Sequence, residues 1–158
     1  MSSHVSRRRF LIQGTALAAA AAVPGLLPAQ TASPAMVVYK DPSCGCCKLW
    51  VDHVKAAGFA VSVRDSSDVV SVKKRQGVPA RLYSCHTAIV GGNVVEGHVP
   101  ADLVQKLLKE RPKVVGLAVP GMPAGSPGME LPDGTTQPYT VELVGNDGSV
   151  SAFAEHGQ

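Results

Sequence analysis

The chain has 158 residues, 15 Lys+Arg against 12 Asp+Glu, 4% aromatic residues and four cysteines. That length argues for one domain and against a multidomain assembly. Arg7, Arg8 and Arg9 precede the first acid, Asp41; without those three, 12 basic residues face 12 acids. The basic excess therefore belongs to the leader and gives no case for a nucleic-acid partner.

The first 33 residues read as an export signal. A basic stretch is followed by the apolar run Phe10 to Leu27 and then by small residues, the three parts of a cleavable leader. Ser6-Arg7-Arg8-Arg9-Phe10-Leu11 fits a twin-arginine signal. The run is broken by Gln13, Gly14, Pro24 and Gly25, so it is weaker than the ~20 apolar residues of a membrane span. The expected product is a periplasmic domain over residues 36–158, free of the membrane once the leader is cut.

In that domain Met36 to Lys40 is β-prone, and Asp41-Pro42-Ser43 breaks it. Cys47, Trp50, Val51 and Val54 then recur at i, i+3, i+4, i+7, a helix that starts inside the cysteine cluster and stops at Gly58. Phe59 to Arg64 reads as a second strand. Ser66-Ser67-Asp68 is placed to cap a short helix reaching Arg75. Thr87 to Val90 and Asn93 to Glu96 flank Gly91-Gly92, a hairpin signal. Pro100 opens a helix with Leu103, Val104, Leu107 and Leu108 on one face. Gly116 to Pro138 is rich in Gly and Pro with no period, and reads as a long loop. Tyr139 to Val144 and Ser149 to Phe153 flank Gly145-Asn-Asp-Gly148 and read as a C-terminal hairpin. The order β-α-β-α-β-β-α predicts an α/β, thioredoxin-like mixed sheet with helices on both faces, plus that hairpin.

Cys44-Gly45-Cys46-Cys47 is a CxCC motif at a helix mouth, where amide N–H groups and the helix dipole favour thiolate. A CxxC alone serves redox chemistry and metal binding equally. Two features favour metal. Cys46 lies between the attacking and resolving thiols that an exchange enzyme needs. Cys85, in Ser84-Cys85-His86, falls where a thioredoxin-like frame brings the loop before the hairpin against the CxxC turn; Val78-Pro79 is the alternative occupant of that place. Four facing sulfurs select Cu(I), Zn²⁺ or iron–sulfur, and adjacent Cys46 and Cys47 suit bridging several Cu(I) ions better than enclosing one. A thiol–disulfide oxidoreductase using Cys44 and Cys47 is the rival reading.

The sequence resembles the CopG-type periplasmic copper-resistance proteins, long catalogued as predicted metal-binding proteins of unknown function. The resemblance is carried by Tyr39-Lys40-Asp41-Pro42 before the CxCC motif, Trp50, Gly77-Val78-Pro79, Ser84-Cys85-His86-Thr87-Ala88 and Val95-Glu96-Gly97-His98-Val99-Pro100. It continues through Gly116 to Pro123 and Gly125 to Glu130. It implies a thioredoxin-like fold, a Cu(I)–thiolate cluster on Cys44, Cys46, Cys47 and Cys85, and a role in copper resistance with Cu(I)/Cu(II) interconversion as a further capability. Copper ions are the expected ligand, and a copper efflux or chaperone protein the expected partner.

Further ligand candidates are His86, next to Cys85, and the soft thioethers of Met122 and Met129 in the Gly/Pro-rich loop. Trp50 is expected in the core and Lys48 on the surface. His98 reads as a turn residue before Pro100, His53 as solvated, and His156 as part of an unordered tail.

Overall fold

The computed structural model describes residues 33–157; all of the predicted leader but Ser33 lies outside the described residues. The first strand, β1, covers Ala35–Lys40 and ends where Pro42 removes a donor. Helix α1 runs over Gly45–Ala56 with Cys44 at its N-cap, and it buries Cys47, Trp50, Val51 and Val54. Strand β2 is Ala60–Asp65. Helix α2, Val69–Arg75, starts where the Asp68 side chain accepts the Ser71 N–H, as a capping aspartate does.

A 3₁₀ turn over Ala80–Leu82 leads into the hairpin of β3, His86–Val90, and β4, Asn93–Glu96. Gly91 and Gly92 both take positive φ, 56° and 81°, the backbone a two-residue hairpin turn requires. Helix α3 covers Ala101–Glu110. Strands β5, Val114–Ala118, β6, Tyr139–Gly145, and β7, Val150–His156, complete the chain.

The strands form one seven-stranded mixed sheet in the order β2-β1-β3-β4-β5-β6-β7. β1 runs parallel to β2 and antiparallel to β3. The first four strands, with α1 and α2 between them, are compatible with the expected thioredoxin-like frame. One element escaped the sequence reading. The sequence places the start of the loop at Gly116, but β5 occupies Val114–Ala118 and pairs parallel with β4 and antiparallel with β6. It therefore joins the C-terminal hairpin to the main sheet. A Cβ at Gly116 would lie 1.8 Å from the Val94 carbonyl oxygen, so glycine is what lets β5 approach β4 there.

Alternate strand residues feed two apolar layers. Met36, Val38, Ala88, Val90, Val95, Leu117 and Val141 pack with Trp50, Val51 and Val54 of α1 and Leu103, Val104 and Leu107 of α3. Val94, Ala118 and Val144 point the other way, towards Val78 and Leu82. On that second face Lys73 of α2 lies 2.6 Å from Glu96 Oε1, and both are buried. Helices thus cover both faces, as predicted. The tail expectation fails: His156 ends β7 and stacks on Tyr139, with ring centroids 5.2 Å apart. Among the described residues no helix is long and apolar enough to cross a membrane.

Candidate metal centre

The break after β1 brings the first three cysteines to one place. Asp41 accepts the Ser43 N–H at 2.8 Å and the Ser43 hydroxyl at 2.5 Å. These bonds hold its carboxyl below the usual carboxylate range. The Cys44 N–H closes the turn onto the Asp41 carbonyl at 3.1 Å, and α1 begins. Cys44 and Cys47, one helical turn apart, are joined in a disulfide, while Cys46 and Cys85 are free.

Cys85 immediately precedes β3, in the register that sets it against the CxCC turn. Its sulfur is 3.9 Å from Cys46 Sγ, and Cys46 Sγ is 3.5 Å from Cys44 Sγ. All four sulfurs lie within 4.8 Å of one another. Burial, then the neighbouring Cys46, pushes the Cys85 thiol up to about 12. As it stands Cys85 is therefore a protonated thiol, and a soft cation binding there would displace that proton.

Two histidines converge on the same sulfur. Cys85 Sγ is 3.2 Å from His86 Nδ1 and 3.1 Å from His98 Nε2. The far nitrogen of His98, Nδ1, lies 2.8 Å from the Pro127 carbonyl. A carbonyl only accepts, so Nδ1 carries the proton and Nε2 turns its lone pair to Cys85. The single thiol proton then points to His98, and His86 Nδ1–H donates to the sulfur. His86 Nε2 is buried without a partner. Burial holds both imidazoles below their ordinary range, that of His86 well below.

The sequence reading of His98 as a turn residue is thus corrected. His98 is fully buried and faces Cys85. The signal lay in the hairpin. β3 and β4 pair Thr87 with Glu96, and Gly97 N–H bonds the His86 carbonyl at 3.0 Å. One more step along the same antiparallel register sets residue 98 opposite residue 85. His53 is corrected too: its Nε2 accepts the Ala101 N–H at 3.1 Å, tying α1 to the start of α3. Trp50 is fully buried as expected; its indole donates to the Val99 carbonyl at 2.9 Å and its ring lies 4.4 Å from His86. Lys48 is exposed, also as expected.

The Gly/Pro-rich loop from Val119 to Pro138 lies against this centre. Ser84 Oγ donates to the Gly121 carbonyl, Pro127 holds His98, and Gly128 packs on α1. A Cβ on Gly128 would sit 2.7 Å from Trp50 N and 2.9 Å from the Cys46 carbonyl, and its φ is +84°. Gly128→Ala should therefore lower unfolding stability by at least about 1–2 kcal/mol from the left-handed backbone alone, read as a lower urea midpoint. An unchanged midpoint would show that the loop is not seated on α1. Of the two predicted thioether candidates in this loop, Met122 is 53% exposed and Met129 half-buried.

Two solved structures, both described as copper resistance protein CopG (form 2 and form 1), match at 47% identity with TM-scores of 0.75 and 0.74. Each match covers 78% of this chain and 98% of the other. The chain belongs to the CopG copper-resistance family. Residues 82–129 also match the family model described as protein of unknown function, DUF411. That match includes Cys85, His86, His98 and both loop methionines. No curated protein matches.

Proposed function

We propose that this protein binds copper as Cu(I) through the thiolates of Cys44, Cys46, Cys47 and Cys85, and serves copper resistance in the periplasm after export under its twin-arginine leader. The observation that carries the reading is the convergence of four sulfurs from two distant chain segments, within 4.8 Å of one another. Thiolates prefer soft cations, and a set of four with no carboxylate among them suits Cu(I) better than hard ions. Membership of a family whose solved members are described as copper resistance proteins supports the choice of copper. Cys46 and Cys47 are adjacent, and Cys47 is buried while Cys46 is half-buried. That favours thiolates shared among several Cu(I) ions. Met122 and Met129 are further soft donors for such a cluster, on the loop that packs against α1. An efflux or chaperone protein would receive or deliver the metal.

The Cys44–Cys47 bond adds a redox capability. Forming it from two thiols releases two electrons and two protons. Two Cu(II) ions would take one electron each and become Cu(I), with the protons passing to solvent. Anaerobic titration of the fully reduced protein with Cu(I), against a competing chelator, tests the proposal. Uptake of more than one ion per chain supports it, and no uptake removes it.

The same disulfide favours a second reading, thiol–disulfide exchange by Cys44 and Cys47. Under the copper reading, a Cys46→Ser/Cys85→Ser double variant has no more insulin-reducing activity than free dithiol. Undiminished catalytic turnover in that variant would make exchange the main activity.

A further inference from the structure

We infer that the buried ammonium of Lys40 sets the reduction potential of the Cys44–Cys47 couple and makes its disulfide easier to reduce. This rests on the redox part of the reading above, that Cys44 and Cys47 pass between disulfide and dithiol; it does not require copper. The starting point is a break in a stripe. Met36 and Val38 are buried in the apolar layer beneath α1. Side chains two apart on a strand share a face, so Lys40 is the next member of that stripe, and it is only 4% exposed. An apolar side chain would continue the layer without the cost of taking an ammonium out of water. Lys40 ends β1, where the chain turns back to start α1 with the CxCC motif. In the register it stands between Asp65 of β2 and His86 of β3.

Two contacts hold the ammonium there. Lys40 Nζ donates to the Asp41 carbonyl at 3.0 Å and pairs with Asp65 Oδ1 at 2.9 Å. The same carbonyl accepts the Cys44 N–H, so the cation is fixed to the turn that carries Cys44. Its counter-charge is placed differently: the Asp65 side chain is 56% exposed and that of Lys40 5%. Water screens the carboxylate far more than the ammonium, so the pair leaves a positive field on the protein side. No acid in the first turn of α1 offsets it, and the Asp41 carboxylate is bonded to Ser43. The field reaches the cysteines' surroundings: after burial, His98 and Lys73, the Lys40 charge is among the causes that hold His86 below its ordinary range. The disulfide carries no charge. When two glutathione thiols reduce it and are themselves joined, one proton ends on a protein sulfur and the other in solvent. The remaining sulfur is a thiolate, favoured by the helix mouth and by the ammonium. Lys40 therefore acts on the reduced side alone, as a positioning residue that works through the thiols.

The test equilibrates the metal-free full chain with glutathione buffers of graded ratio and quenches it by alkylation. Mass spectrometry of the fragment holding Cys44, Cys46 and Cys47 counts one alkyl group for the closed bond and three for the open one. Lys40→Met should move the equilibrium at least about tenfold towards the disulfide, roughly 30 mV, with no fall in the urea midpoint. Lys40→Arg keeps the charge and should stay within about threefold of wild type, roughly 14 mV. Asp65→Asn removes the counter-charge and should shift the equilibrium towards the dithiol by about twofold or more, roughly 9 mV. Loosened packing alone would not give opposite signs. An unshifted Lys40→Met, an equal shift in Lys40→Arg, or an Asp65→Asn that is unshifted or moves towards the disulfide would overturn the inference. If Lys40→Met does not fold, the sign of the Asp65→Asn shift decides. A wild-type chain that cycles while the variants stay unshifted would leave the redox reading intact, whereas a wild type that never opens would sink both.

Discussion

Cys85→Ser is expected to lose at least about 100-fold in Cu(I) affinity, roughly 2.7 kcal/mol, and to bind fewer ions at saturation. Among the described residues Cys85 is the only thiol brought to the helix mouth from outside the CxCC turn. Without it, three thiols on one short segment cannot close around the metal from the opposite side. The serine oxygen is a hard donor and a poor substitute for Cu(I). The change should be nearly silent in stability, because Cys85 is half-buried and the replacement is small. Affinity is read by chelator competition and stability by urea unfolding of the metal-free protein. Unaltered affinity would remove Cys85 from the copper site.

The largest stability effect is expected at Glu96. Its carboxylate accepts from Lys73 Nζ and Ser84 N–H, both at 2.6 Å through Oε1, and from the Thr87 hydroxyl at 2.7 Å through Oε2. Both members of the ion pair are buried. Glu96→Leu would strand the Lys73 ammonium without a counter-charge and leave Ser84 N–H without its acceptor. Breaking one side of a buried pair costs about 3–5 kcal/mol. A Lys73→Met/Glu96→Leu double variant should recover much of that loss, since two apolar side chains of similar volume replace a pair that paid desolvation on both sides. The double variant still lacks the Ser84 contact, which holds the residue next to Cys85. It should therefore keep a copper-affinity defect after stability has recovered. Equal losses in the single and double variants would show that the ion pair is not the cause.

The elements built from long periods were legible before the structure. Helix α1 announced itself through Cys47, Trp50, Val51 and Val54, and the β3–β4 hairpin through Gly91-Gly92. The position of Cys85 followed from that hairpin together with the frame of the first two strands. Strand β5 was not legible. Its five residues are too few for a period, and Gly116 reads as a loop residue until the approach of Val94 is known. His98 was missed for a different reason. A histidine between Gly97 and Pro100 has the local look of a turn, and only extending the strand register past its last pair sets it across from Cys85. The Lys73–Glu96 pair joins a helix to a strand 23 positions away, a contact that no local pattern encodes. The structural role of the loop was equally hidden, since its seat on α1 depends on the missing Cβ of Gly128.

Copper K-edge X-ray absorption of the reduced, Cu(I)-loaded protein reads the ligands directly. A first shell dominated by sulfur, with a second shell of neighbouring copper, is what sulfurs drawn from the helix mouth and from the turn before β3 should produce. A first shell of nitrogen and oxygen around an isolated ion would mean that copper binds elsewhere in this chain.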